Sequence, residues 1–70
     1  MTYDKERFAG NLRANRARSR MTQDQLAEAS GVTAAAIRSY ENALNVPSVE
    51  NAAKLADALE VSIDQLVGER

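Results

Sequence analysis

The chain has 70 residues, 44% of them hydrophobic and 27% charged, with a net charge of −1 and neither Cys nor His. That length makes one domain, spanning 1–70, near the lower limit for folding without staples. The missing residue types exclude disulfides, thiolate or imidazole zinc sites, Cys–His nucleophiles and Ser–His triads, so no metal, cofactor or catalytic residue is expected.

The first helix is expected over about 4–19, with Phe8 and Leu12 at i, i+4 on its apolar face. Thr22 and Gln25 have capping-box spacing and open a second helix at about 23–29, in which Leu26 and Ala27 face the core. Ser30-Gly31-Val32 then turns the chain, with Val32 as a plug. Thr33 is the N-cap of a third helix that begins Ala34-Ala35-Ala36. Ile37, Tyr40 and Leu44 recur there at helical spacing, which extends that helix to about 34–44. Pro47 breaks the chain, and Ser48 caps a fourth helix at about 49–59 with an apolar stripe of Val49, Ala52, Ala56 and Leu59 beside Leu55. Ser62 and Gln65 repeat the capping-box spacing before a fifth helix at about 63–67, where Val61, Ile63 and Leu66 close the far end of the core. No Val/Ile/Thr alternation suggests a strand, so the expected class is all-α. Two short helices around a tight glycine turn, near residues 22–42, form a helix-turn-helix pattern.

Charge is distributed unevenly. Within the first 20 residues Lys5, Arg7, Arg13, Arg16, Arg18 and Arg20 outnumber Asp4 and Glu6. From residue 42 onward Lys54 and Arg70 face Glu50, Asp57, Glu60, Asp64 and Glu69. Such a polarised molecule can turn one side to a polyanion and keep an acidic back. No apolar run approaches the roughly 18 residues of a membrane span, and no signal-peptide pattern stands at the N-terminus. The expected location is the cytoplasm, with no membrane partner and no small-molecule ligand.

Leu12-Arg13, Arg16, Met21-Thr22-Gln23, Leu26-Ala27, Gly31-Val32-Thr33, Ile37, Tyr40-Glu41-Asn42 and Pro47-Ser48 resemble, at these spacings, the Cro/CI-type (XRE-like) helix-turn-helix family of phage and bacterial repressors. The resemblance covers about residues 8–67. It implies a compact five-helix, phage-repressor-like domain that binds double-stranded operator DNA as a homodimer, with helix 34–44 in the major groove. Thr33, Ala34, Ala35, Arg38 and Ser39 are then the candidate base contacts, Arg38 being best suited to guanine. Arg13, Arg16, Arg20, Thr22, Gln23 and Asn42 are the candidate phosphate contacts. Gln23 lies where a helix N-terminus already favours an anion. Arg16 and Glu41 match a family ion pair between the first and third helices.

Three departures matter. Ala34 and Ala35 replace polar readers, and alanine can pack on a thymine methyl but cannot hydrogen-bond a base edge. Ala43 replaces a glycine, and Leu44-Asn45-Val46 replaces a basic loop. A left-handed non-glycine costs about 1 kcal/mol, so continuation of the third helix to Leu44 is expected, with Val46 exposed or in a contact surface. Arg20 also stands in place of a glycine. Two dispositions of the last helix are open: Ile63, Leu66 and Val67 form the dimer face, or they pack back on the first helix. A second functional reading is a protein-interaction module on the same fold, antitoxin-like or anti-repressor-like, with weakened DNA contacts. An enzyme is not expected, because no nucleophile–base pair, Gly-rich phosphate loop or metal spacing occurs.

Overall fold

The computed structural model describes residues 4–68; the charges of Glu69 and Arg70 lie outside the described residues. Five helices follow one another: α1 (Lys5–Arg18), α2 (Gln23–Ser30), α3 (Ala34–Glu41), α4 (Val49–Leu59) and α5 (Ile63–Val67). Among the described residues there is no strand. None of the helices is long and apolar enough to cross a membrane.

Each helix starts on a side chain that supplies the acceptor its first turn lacks. Asp4 accepts from the amides of Glu6 and Arg7. Thr33 accepts from Ala36, and Ser48 from Asn51. Thr22 with Gln25, and Ser62 with Gln65, close reciprocal capping boxes.

All five helices also terminate in a left-handed residue, by two different devices. α2 and α5 end on Gly31 (φ 82°) and Gly68 (φ 63°), whose amides donate to the Ala27 and Asp64 carbonyls at 2.9 Å. α1, α3 and α4 are followed by left-handed Arg20, Ala43 and Glu60, all at φ 59°. Here two amide bonds close each end. After α3, the Ala43 amide donates to the Tyr40 carbonyl at 3.1 Å and the Leu44 amide to the Ser39 carbonyl at 3.0 Å. The same pair follows α1, at Arg20 and Met21, and α4, at Glu60 and Val61. These are Schellman ends. The additional amide bond offsets the cost of a left-handed residue with a Cβ.

This corrects the expectation for the third helix, which stops at Glu41 and does not run to Leu44. A heptad-like apolar spacing cannot report that the chain has left the helix. Leu44 consequently points away from the Ile37–Tyr40 stripe and is 67% exposed. Val49 was also expected in the core and is 75% exposed, because at the first position of α4 it sits on the rim of the stripe. Ile63 is exposed as well, whereas Val46 is half-buried.

The core consists of Phe8, Leu12, Leu26, Val32, Ile37, Tyr40, Leu55, Ala56, Leu59, Leu66 and Val67. The rings of Phe8 and Tyr40 meet edge to face with centroids 6.1 Å apart. α1 packs on α3 and α5, α2 on α3 and α4, and α4 on α5. Leu66 and Val67 thus belong to the core of their own chain, and α5 packs back on α1. Two side chains of α1 hold the end of α5: Arg7 Nη1 donates to the Gly68 carbonyl at 2.9 Å and Asn11 Nδ2 to the Leu66 carbonyl at 3.0 Å.

Because Ala43 occupies a left-handed position, Ala43→Gly should stabilise the fold by about 0.5–1 kcal/mol after the added flexibility of the unfolded chain is counted. Thermal unfolding followed by circular dichroism should show a rise of about 3–6 °C in the midpoint. An unchanged or lowered midpoint would show that the Schellman end bears no residual strain.

Candidate nucleic-acid interface

The turn between α2 and α3 is built around three residues. Gly31 takes the left-handed conformation, with no atom within 4 Å of where a Cβ would stand, so its backbone conformation and not crowding is what favours glycine here. Ser30 Oγ accepts from the Val32 amide at 3.1 Å. Val32 is buried and pins the turn to the core.

α3 divides cleanly into two faces. Ile37, Tyr40 and Glu41 face inward, with Ala36 half-buried beside them. Thr33, Ala35, Arg38 and Asn42 are exposed, whereas Ala34 and Ser39 are half-buried. Of the five candidate base contacts, Thr33, Ala35 and Arg38 therefore stand fully on the outer face. The Thr33 oxygen is engaged as the cap of α3, which leaves its hydroxyl proton free to donate.

The inner end of α3 carries a buried carboxylate with three donors. Arg16 Nε donates to Glu41 Oε2 at 2.7 Å and Arg16 Nη2 to Oε1 at 2.9 Å, a bidentate pair. Gln23 Nε2 donates to the same Oε1 at 2.9 Å. Arg16 Nη1 donates to the Met21 carbonyl at 2.9 Å. The Glu41 side chain is 3% exposed and that of Arg16 21%. The hydrogen bond to Glu41 raises the guanidinium's already high proton affinity; partial desolvation opposes this and the Glu41 charge adds to it. Arg13 Nη1 donates to the Glu41 backbone carbonyl, at the C-terminal end of α3, where a cation is favoured.

The six candidate phosphate contacts thus occupy different situations. Arg16 commits three of its five N–H donors to this cluster, and Arg13 commits one to the α3 terminus. Gln23 is half-buried against Glu41, and Thr22 closes the capping box of α2. Arg20 and Asn42 are exposed, in the connections that follow α1 and α3. Sequence reasoning missed the Gln23–Glu41 bond, the Arg13 contact and the burial of Asn15, whose amide donates to the Asn11 carbonyl at 2.8 Å. The first two span 18 and 28 residues, and no local pattern signals a contact at that separation.

A buried carboxylate that loses its charge leaves its guanidinium partner incompletely compensated. Glu41→Gln should cost about 2 kcal/mol in urea denaturation, and a double-mutant cycle with Arg16→Met should return a coupling of at least about 1 kcal/mol. A coupling near zero would mean that the pair does not hold α1 to α3.

Comparison with known proteins agrees with this architecture. The helix-turn-helix family matches residues 12–66. Over 64 residues the chain is 41% identical to the cryptic phage CTXphi transcriptional repressor RstR of Vibrio cholerae, a match covering 91% of this chain and 54% of that protein. The chain therefore spans about half the length of this curated relative. No solved structure matches it. With nearly the whole of its helical framework inside the matched region, the chain belongs to the helix-turn-helix family, in its Cro/CI-like (XRE-type) branch of regulators.

Proposed function

We propose that this chain is a transcriptional repressor that binds double-stranded operator DNA as a homodimer and places α3 in the major groove. The observation that carries this reading is the outer face of α3. It presents Arg38 and Ala35 beside Thr33, on a helix whose rotation is set by Glu41 on its inner side. Arg38 has the fork that pairs with guanine O6 and N7, and Ala35 suits a thymine methyl. Few polar readers leave more of the site choice to DNA shape. Family membership and the repressor relative support a regulator and not an enzyme.

Arg20, Asn42 and the amide of Gln23 complete the interface as backbone contacts, and the acidic residues of α4 and α5 face away from the duplex. Arg16 serves mainly as a clamp for α3. Two copies read half-sites about 34 Å apart, one helical turn. A protein-interaction role on the same fold is the second reading. What favours it is the exposure of Leu44 and Val49.

Retention of genomic fragments at low ionic strength, with a steep loss on adding salt, is expected. Arg38→Ala should cost about 1–3 kcal/mol at the preferred sequence and relax the preference at one base pair. Arg20→Gly should weaken all fragments alike and reduce the salt slope by about one. Because glycine relieves a left-handed residue, that variant should melt no lower than the parent, so its weaker binding is not unfolding. Absence of any salt-sensitive binding in the parent would overturn the assignment.

A further inference from the structure

A helix turns by about 100° per residue, so Ala34, Arg38, Ala35 and Ser39 follow one another around the side of α3 opposite Ile37 and Tyr40. Ala35 and Arg38 are exposed, and Ala34 and Ser39 half-buried. Beyond its Thr33 cap, the first turn of α3 carries only the methyl groups of Ala34, Ala35 and Ala36. Two ways of reading a base are absent from this helix. Adenine is read in bidentate fashion by Asn or Gln, and cytosine N4 by an acidic acceptor. Residues 34–41 contain no Asn, Gln or Asp, and their one carboxylate, Glu41, is buried and held by Arg16 and Gln23. Half-buried Ser39 can bond to either a donor or an acceptor and so selects little. What remains is a guanidinium and a methyl. Ala35 and Arg38 are separated by a rise of about 4.5 Å, close to the roughly 3.4 Å between successive bases of a strand. They address neighbouring base pairs.

We infer that α3 reads the C5 methyl of a pyrimidine and not the base that carries it, so that 5-methylcytosine beside the guanine of Arg38 binds as thymine does. The inference rests on the placement of α3 in the major groove proposed above, and adds to it a sensitivity to cytosine methylation. Thymine and cytosine differ at position 4, where one has an acceptor oxygen and the other a donor amino group. An alanine side chain bonds to neither, and being one carbon long it leaves that group its water. Its gain comes from apolar contact with the C5 methyl. Thymine and 5-methylcytosine share this methyl; uracil and cytosine lack it. The purine opposite changes from adenine to guanine, and neither offers a group that these alanines can bond.

The full chain first selects its preferred duplex from a random-sequence pool, and Arg38→Ala locates the guanine within it. At each base pair beside that guanine, in turn, the pyrimidine is made thymine, uracil, 5-methylcytosine or cytosine, with the complementary purine. Affinities are compared at one salt concentration. At one of these positions thymine and 5-methylcytosine should bind within about twofold of each other, and uracil and cytosine about fourfold more weakly for each half-site altered. Ala35→Gly should bring all four duplexes within about twofold. This readout is a ratio, so a loss of fold stability does not produce it, and the comparison in the parent needs no variant at position 35. Equal binding of thymine and uracil, or 5-methylcytosine behaving as cytosine, would overturn the inference and leave the repressor reading standing. A ratio unchanged in Ala35→Gly would overturn it too. Failure of the parent to select any duplex would overturn both.

Discussion

The carboxylate of Glu41 is the group on which the arrangement of the first three helices depends. A charge buried this deeply is costly unless it is paired and hydrogen-bonded. Its partners come from α1, through Arg16, and from α2, through Gln23. Arg16 also ties down the Met21 carbonyl in the connection between those helices. The apolar core draws the helices together but is non-directional. The bidentate pair has direction, and with it α3 has a fixed rotation about its own axis. Turning Arg38 away from solvent would take Glu41 away from its donors.

The second constraint is how the helices stop. Capping side chains start each one at a defined residue, and left-handed residues end each one without a long loop. Gly31 is used where a single amide bond closes the end of α2. The three non-glycine ends each form a second bond, which explains why arginine, alanine and glutamate are tolerated there. Tight termination of α3 at Glu41 has two consequences. The outer face of α3 is short, and Leu44 is delivered to the surface with no core to cover it.

Much of this was legible in the sequence, because capping and periodicity act over a few residues. Thr22, Thr33, Ser48 and Ser62 marked the helix starts, and Gly31 marked the turn. The end of α3 was misread, since Leu44 continues the apolar spacing of Ile37 and Tyr40 while the backbone has already turned left-handed at Ala43. Val49 was misplaced for a related reason: spacing says which stripe a residue shares but not where that stripe runs off the core. The cluster at the interface was only partly visible. The Arg16–Glu41 pair followed from a family resemblance, whereas the bonds of Gln23 and Arg13 to Glu41 depend on how three helices pack.

If Glu41 sets α3 for reading DNA, the face opposite it must be the one that meets the duplex. Amide shift mapping by nuclear magnetic resonance, with a bound duplex added to the uniformly labelled chain, measures this directly. The largest changes are predicted in residues 33–42 and at the start of α2 near Gln23, with α4 beyond its first turn and α5 little altered. Changes concentrated on α4 and α5, with residues 33–42 unmoved, would contradict the assignment of α3 as the reading helix.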